Sequence, residues 1–106
     1  MVELDGMLSI VMPAYNEEKL IYQSIMKTLD IVSGFVREIE LIAVNDGSKD
    51  RTSEIAHELQ RKASQSIVVI DKENGHYGSC VNAALKIATG KYFRILDADD
   101  WMDSGE

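Results

Sequence analysis

The sequence is poor in cysteine, in proline and in long apolar runs. Its 106 residues include one cysteine, so no internal disulfide can form, and we expect Cys80 to be a buried small apolar residue. No stretch approaches the roughly 18 consecutive apolar residues of a membrane helix. The start, MVELDGML, lacks the basic-then-apolar order of a secretion signal. These absences predict one cytoplasmic domain with a single core.

Basic residues are scarce as well. Eleven lysines and arginines face 18 aspartates and glutamates, for a net charge of −7. This balance repels a nucleic-acid backbone unless basic residues cluster, and here they do not, so we expect no nucleic-acid partner. An acidic domain can still hold a phosphorylated small molecule when a divalent cation lies between the two sets of negative charge.

Apolar runs rich in β-formers alternate with segments of helical period. The predicted strands are Leu8–Met12, Ile39–Val44, Ile67–Ile70 and Tyr92–Leu96. The predicted helices are Glu17–Val32, Thr52–Ala63 and Ser79–Ala88, the last stopping at Gly90. Short strands that are apolar throughout need cover on both faces. The order predicts an α/β fold, a Rossmann-like three-layer α/β/α arrangement with a mainly parallel sheet of about four strands.

The first two predicted strands end in polar segments, at the edge where parallel sheets bind ligands. Pro13 is expected to end the first strand, and Asn16 to cap the next helix. Tyr15 can pack against the fold or offer a flat face to a base.

After the second strand, Asn45 to Ser48 has ordinary turn chemistry, with Ser48 or Asp50 able to cap the next helix. Asp46 can also accept the imide N–H of a uracil.

The later two predicted strands end in a glycine-containing loop and in an acidic cluster. In the loop, Asn74 and Gly75 precede a helix N-terminus whose amides suit an anion, and His76 can touch a ligand or hold the loop. In the cluster, Asp97 and Asp99 lie two residues apart and share a side in an extended segment. Such oxygen ligands suit Mg²⁺ or Mn²⁺.

A cation is needed if this edge is to hold a diphosphate. Each pair of like charges about 4 Å apart costs roughly 4 kcal/mol at an effective dielectric of 20. A divalent ion turns these repulsions into attractions. The chain has neither a G-x-G-x-x-G fingerprint nor a GK[ST] sequence after its first strand, which disfavours a dinucleotide dehydrogenase and a P-loop NTPase. A phosphatase-like site would place its acids after the first strand, so that alternative is also disfavoured.

Four blocks in order carry a family resemblance: SIVMPAYNEE, AVNDGSKD, the Asn74-Gly75 loop with Asn82 to Leu85, and GKYFRILDADD. From about Leu8 to Trp101, the chain resembles the family 2 glycosyltransferases with the A-type fold. The resemblance implies the donor-binding half of a metal-dependent transferase that moves a sugar from a nucleotide-sugar, usually a UDP-sugar, with inversion. The implied acceptor is a saccharide, a lipid-linked molecule or a protein. A non-catalytic nucleotide-binding or scaffold domain of the same fold is the alternative.

The resemblance also implies roles for individual residues. The nucleotide site would comprise Ala14, Tyr15, Glu17, Asp46 and Asp97. Within it Tyr15 would lie against the base, Asp46 would bind the uracil and Asp97 would lie near the ribose. Asp99 would hold Mg²⁺ or Mn²⁺ on the diphosphate, and Asn74, Gly75 and His76 are further loop contacts. Metal and loop amides would stabilise charge on the departing nucleoside diphosphate.

Three departures from the family pattern are visible. Asn45 stands where many relatives have an acid, and Val81 where many have an arginine, a loss that Lys49, Arg51 or Arg94 can offset. Arg94 itself needs a carboxylate or water within an apolar strand.

The third departure is the end of the chain at Glu106, since the family's catalytic base and acceptor-binding half lie beyond the metal motif. We therefore expect residues 1–106 to form one nucleotide-sugar-binding domain without transfer activity of its own. Any contact with the inner membrane face would come from further segments.

Overall fold

A computed structural model describes residues 4–34 and 36–96, with their side chains from residue 6 onward. Four strands and three helices alternate along this part of the chain. The strands are β1 (Leu4–Ala14), β2 (Val36–Asp46), β3 (Ile67–Lys72) and β4 (Tyr92–Ile95). The helices are α1 (Ile21–Val32), α2 (Thr52–Lys62) and α3 (His76–Leu85). The predicted alternation is confirmed.

The strands form one parallel sheet in the order β3-β2-β1-β4. At the centre, β1 and β2 stay in register from the pair Leu8 with Ile39 to the pair Ala14 with Asn45. The shorter strands β3 and β4 lie at the two sides. Helices α1 and α2 cover one face and α3 covers the other. The predicted Rossmann-like α/β/α fold is therefore confirmed.

The larger core lies between the sheet and helices α1 and α2. Successive side chains of a strand point to opposite faces, so Ile10 and Met12 of β1 lie on this side together. They pack with Ile21 and Ile25 of α1 and Leu59 of α2, and all five side chains are at most 5% exposed. Burying each large side chain contributes about 1.5–3 kcal/mol.

The smaller core lies under α3. Val11, Ile42 and Val44 of the sheet meet Cys80 and Ala84 of the helix, whose small side chains let α3 lie close to the strands. Cys80 is 1% exposed, which confirms the prediction of a buried apolar cysteine.

The first strand and the first helix differ from the prediction. Pro13 does not end β1, because Pro13 and Ala14 still pair in register with Val44 and Asn45. The prediction that Asn16 caps α1 is also wrong. The helix begins at Ile21, after a turn closed by bonds from the Leu20 and Ile21 amides to the Glu17 carbonyl.

The third helix begins and ends earlier than its pattern predicts. It starts at His76 rather than Ser79, and it ends at Leu85 rather than Ala88. Gly90 therefore does not stop the helix. Its amide donates to Ser9 Oγ at 2.8 Å, and a Cβ on Gly90 would lie only 2.4 Å from that oxygen. Glycine is needed at this position for close approach to β1.

Two further points concern charge and length. Arg94 is exposed on β4, at one side of the described sheet, where water can solvate the guanidinium. Within residues 4–34 and 36–96, none of the helices combines the length and the apolarity needed to span a bilayer.

Candidate functional site

The carboxyl ends of β1 and β2 and the first turns of α3 surround a cleft of about 190 Å³. Its lining residues are Pro13, Ala14, Tyr15, Glu17, Asp46, Tyr77 and Cys80. The cleft lies at the edge where sheets of this kind bind ligands. Complete small-molecule pockets measure about 300–1,000 Å³, so this cleft has room for one part of such a ligand.

Asp46, the last residue of β2, is the most buried charged residue of the cleft, with 5% of its surface exposed. Its Oδ1 accepts hydrogen bonds from the Gly75 amide at 2.8 Å and from Lys72 Nζ at 3.0 Å. Its Oδ2 accepts one from the His76 amide at 2.9 Å. The Asn74 side chain donates to the Asp46 carbonyl at 3.1 Å. Asp46 thus holds the loop that leads into α3.

The surroundings of Asp46 favour its charged form. Burial alone raises the pKa of the carboxyl group. The Gly75 amide, the Lys72 ammonium and the His76 amide outweigh that effect and hold the pKa of Asp46 below its ordinary value. Asp46 is therefore a carboxylate at neutral pH.

The turn after β2 and the loop after β3 approach each other closely. Gly47 has a φ of +75°, and a Cβ there would lie 2.6 Å from the Asn74 amide nitrogen. His76 has a φ of +67°, which is uncommon for any residue other than glycine. The hydrogen bond from the His76 amide to Asp46 helps to hold this conformation. At position 47, the positive φ and the close approach of the Asn74 amide together mean that only glycine fits.

The loops after β1 and β2 are tied to each other. The Asn16 amide donates to Ser48 Oγ at 2.8 Å, and the Lys49 amide returns a bond to Asn16 Oδ1 at 2.8 Å. The Glu17 amide donates to Thr52 Oγ1 at 2.7 Å. These reciprocal bonds hold Asn16 at a φ of +52° and place the neighbouring Tyr15 on the wall of the cleft.

Asp50 completes this link and meets the start of α2. Its Oδ1 accepts from the Thr52 amide at 2.9 Å, and its Oδ2 accepts from the Glu18 amide at 3.2 Å. The N-cap residue of α2 is Arg51, so the prediction that Asp50 or Ser48 caps this helix is wrong. Burial raises the pKa of Asp50, but the Thr52 hydroxyl and the amides outweigh it and lower the pKa below its ordinary value. In return, the Arg51 amide donates to Glu18 Oε1 at 2.9 Å.

The predicted site residues fall into three groups. Ala14, Tyr15, Glu17 and Asp46 all line the cleft. The loop residues Asn74, Gly75 and His76 instead contact Asp46, through one side-chain and two backbone donors. Asp97 and Asp99 lie outside the described residues, as does Trp101. Among the described residues, no three His, Cys, Asp or Glu side chains are grouped closely enough to hold a metal ion. The assigned roles remain predictions.

The comparison with protein-family models matches residues 9–106 to one family, glycosyl transferase family 2. The chain belongs to this family. The resemblance seen in the sequence is thereby confirmed.

Three curated proteins are similar to nearly the whole chain. The minor teichoic acid biosynthesis protein GgaB of Bacillus subtilis is 38% identical, with 92% of this chain and 11% of the relative covered. The uncharacterized glycosyltransferase EpsJ of the same organism is 37% identical, with 92% and 27% covered. The poly(ribitol-phosphate) beta-glucosyltransferase of Bacillus spizizenii is 33% identical, with 92% and 15% covered. The chain therefore spans between about a tenth and a quarter of these relatives.

A solved structure shares the fold. A mannosyltransferase from Pyrobaculum calidifontis, in complex with GDP-Man and Mn²⁺, superposes with a TM-score of 0.75 at 22% identity. The match covers 91% of this chain and 28% of that protein. The described sheet and helices thus have the A-type glycosyltransferase fold.

Two residues of the site were missed from the sequence of this family 2 chain. Lys72 contacts Asp46, and Tyr77 lines the cleft from the first turn of α3. Tyr77 had a visible signal, since it is an aromatic residue in a strand-end segment like Tyr15. Lys72 had none, because its contact depends on the register between β2 and β3.

The cations expected to offset the missing arginine at position 81 lie in different surroundings. Arg51 is exposed and pairs with Glu54 in the first turn of α2, at 3.2 Å between Nε and Oε1. Lys49 and Arg94 are exposed. Lys72 directly contacts Asp46 in the cleft, and 18% of its side chain is exposed.

Proposed function

We propose that this chain is the donor-binding part of a metal-dependent, inverting glycosyltransferase that takes its sugar from a UDP-sugar. The membership in family 2 supports a transferase, and the A-type fold supports a nucleotide-sugar at the carboxyl edge of the sheet. The observation that carries the choice of uracil is the hydrogen bonding of Asp46.

A carboxylate offers about four lone-pair sites, two on each oxygen. At Asp46 the two on Oδ1 are occupied by Gly75 and Lys72, and one on Oδ2 is occupied by His76. Within residues 4–34 and 36–96 no further group donates to Oδ2, which leaves one site there for a ligand. Because Asp46 lines the cleft, this acceptor is available to a group that enters there.

A single remaining acceptor suits a base with a single N–H on its pairing edge. Uracil presents one imide N–H between two carbonyl groups. Guanine presents two adjacent donors, which need one acceptor on each carboxylate oxygen. Since Oδ1 is already occupied, the Asp46 site favours uracil over guanine.

Two aromatic side chains favour a flat ring beside this acceptor. Tyr15 is 46% exposed and Tyr77 is 53% exposed, and both line the cleft with Asp46. Stacking of a base on an aromatic side chain is worth about 1–3 kcal/mol in single-stranded nucleic-acid systems. We propose that Tyr15 lies against the uracil, with Ala14 and Glu17 in the same pocket.

The proposed cation is Mg²⁺ or Mn²⁺, held by Asp99, with Asp97 near the ribose. Carboxylate oxygens are ligands that these hard cations prefer. When bound, the cation would neutralise charge on the nucleoside diphosphate as it departs. The strong negative charge of the chain, −7, makes a cation the simplest way to keep a diphosphate at this edge.

We place the acceptor site and the catalytic base in sequence beyond Glu106. The short share of each relative that this chain covers supports this division into a donor part and an acceptor part. The names of two relatives, a teichoic acid biosynthesis protein and a poly(ribitol-phosphate) glucosyltransferase, support a role in making a cell-envelope polysaccharide. A chain that ends at Glu106 would bind the donor without transferring the sugar.

Calorimetric titration of the intact protein with UDP and with GDP tests this proposal. Each titration is run once with Mg²⁺ and once with EDTA. We expect UDP to bind at least tenfold more tightly than GDP, and we expect EDTA to weaken UDP binding at least tenfold.

Each part of the proposal can fail separately. Equal UDP affinity in Mg²⁺ and in EDTA would refute the metal dependence, and tighter binding of GDP would refute the assignment of the base. A folded protein that binds neither nucleotide at millimolar concentration would favour the scaffold alternative.

A further inference from the structure

The last two residues of β2 pair with the last two residues of β3. In register, Asn45 stands opposite Asp71 and Asp46 stands opposite Lys72. Successive residues of a strand point to opposite faces. The pair Asn45–Asp71 therefore lies on the α2 face, and the pair Asp46–Lys72 lies on the α3 face, where the cleft is.

Each pair joins groups that complement each other. Asn45 Nδ2 donates to Asp71 Oδ1 at 2.9 Å, and Lys72 Nζ donates to Asp46 Oδ1 at 3.0 Å. Asn45 is 7% exposed and Asp46 is 5% exposed. The Asp46–Lys72 contact is therefore largely shielded from water, whereas the Asn45–Asp71 contact is shielded on its Asn45 side only, because the Asp71 side chain is 46% exposed. An amide opposite Asp71 and an acid opposite Lys72 is the arrangement that leaves neither β2 residue facing a like charge.

Asp71 is held in place by three side chains. Besides Asn45, Ser53 donates to its Oδ1 at 2.7 Å, and His57 bonds to its Oδ2 through Nε2. Burial raises the pKa of Asp71, but the bonds from Ser53, His57 and Asn45 outweigh it and lower the pKa below its ordinary value. Asp71 is therefore charged at neutral pH, and the group opposite it has to be a donor.

The other end of the Asn45 side chain reaches the walls of the cleft. Asn45 Oδ1 accepts from the Ser48 amide at 3.1 Å, which closes the turn after Asp46. Ser48 Oγ in turn accepts from the amide of Asn16 at 2.8 Å, and Asn16 is the residue next to Tyr15. One amide side chain thus connects the end of β3, the Asp46 turn and the Tyr15 loop.

We propose that Asn45 is a positioning residue of the nucleotide site, and that position 45 has to carry an amide because Asp71 stands opposite it. The departure of Asn45 from the two-acid pattern is then a matched change rather than a loss. The inference rests on the proposed function, since it concerns how Asp46 and Tyr15 are held for the nucleotide.

An exchange of the two side chains tests the proposal. Asn45→Asp puts two carboxylates in contact, while Asn45→Asp with Asp71→Asn restores one donor and one acceptor. We expect N45D to weaken UDP binding by at least tenfold, and the double variant to recover to within about threefold of the parent. Gln23→Glu, an amide-to-acid change at an exposed position of α1, is the matched control and should leave UDP affinity unchanged.

The readouts are UDP affinity by calorimetry with Mg²⁺ and the midpoint of thermal unfolding, both for the intact protein. Recovery of UDP affinity in the double variant supports the inference. If the two positions acted independently, the losses of affinity from the two substitutions would add instead. N45D with parental affinity and parental midpoint overturns it. If N45D does not fold, a folded double variant supports the coupling and an unfolded one overturns it. A parent without UDP binding refutes the proposed function alone, and the midpoints still test the pairing.

Discussion

Asp46 and Glu40 lie on the same face of β2. Each holds one end of the segment from Gly75 to Thr89, which contains α3. Asp46 binds the amides of Gly75 and His76, where α3 begins. Glu40 binds the amide and hydroxyl of Thr89, after α3 has ended, at 3.0 and 3.1 Å. Both acids accept backbone N–H groups, so both fasten the segment to the strand.

The two acids differ in the groups that surround them. Glu40 takes its remaining bond from Ser9 Oγ at 2.8 Å, on a strand packed beside it. Asp46 takes its remaining bond from Lys72 and lines an open cleft together with Tyr15. An acid that accepts several hydrogen bonds is therefore no sign of a binding site by itself. From the described residues each acid accepts three hydrogen bonds, so the sign is the position of Asp46 beside a cleft at the carboxyl edge of the sheet.

The largest expected effect separates the acids by ligand binding. Asp46→Asn should weaken UDP binding by about 2 kcal/mol, roughly 30-fold, because it removes a charge-assisted hydrogen bond to the base. Glu40→Gln should change UDP affinity less than twofold, although both variants should lose about 1–3 kcal/mol of unfolding free energy. Calorimetry and urea unfolding measure the two quantities. Equal losses of UDP affinity would mean that Asp46, like Glu40, is only structural.

The next comparison uses the glycine beside each held segment. A Cβ at Gly47 would meet the Asn74 amide at 2.6 Å, and a Cβ at Gly90 would meet Ser9 Oγ at 2.4 Å. We expect Gly47→Ala and Gly90→Ala each to cost about 2 kcal/mol in unfolding free energy, measured in urea, through overpacking and, at Gly47, left-handed backbone strain. Only Gly47→Ala should also weaken UDP binding. If Gly90→Ala weakens it as much, the two ends of the segment are coupled.

A smaller effect is expected from the aromatic wall, which Asp46 has and Glu40 lacks. Tyr15→Ala should reduce UDP affinity by about 1–2 kcal/mol through lost stacking. Tyr22→Ala is the matched control, because Tyr22 is 52% exposed on α1 and is not among the residues that line the cleft. Calorimetric titration of both variants with UDP gives the difference. A parental affinity in Tyr15→Ala would remove Tyr15 from the base site.

The smallest effect concerns pH. The pKa of Asp46 is lower in the folded chain than its ordinary value, so the carboxylate stabilises the fold above about pH 4, and this contribution is lost as the pH falls through the lower folded pKa. Between about pH 5 and 2, urea unfolding should show a smaller loss of stability in Asp46→Asn than in the parent. Glu40→Gln should keep the Asp46 part of this pH dependence. Parallel curves for the parent and Asp46→Asn would contradict the lowered pKa.

Much of the fold was predictable because apolar periodicity is a local property. The order of strands and helices follows from it, and so does the burial of Cys80. The ends of elements were less predictable. Asn16 has a side chain typical of a helix cap, but its Oδ1 accepts from the Lys49 amide and its own amide donates to Ser48 Oγ, both in the loop after β2. The position of Gly90 is typical of a helix stop, but glycine is needed there because the backbone packs closely on Ser9.

By itself, the sequence determined the α/β class, the family, and the strand-end location of Tyr15 and Asp46. Only the tertiary structure decided which groups those residues meet. The register of β2 on β3 sets Lys72 against Asp46 and Asp71 against Asn45, on opposite faces. The physical reason is range. Periodicity and turn chemistry act within a few residues, whereas these bonds join residues 26 apart and depend on how two strands align in the sheet.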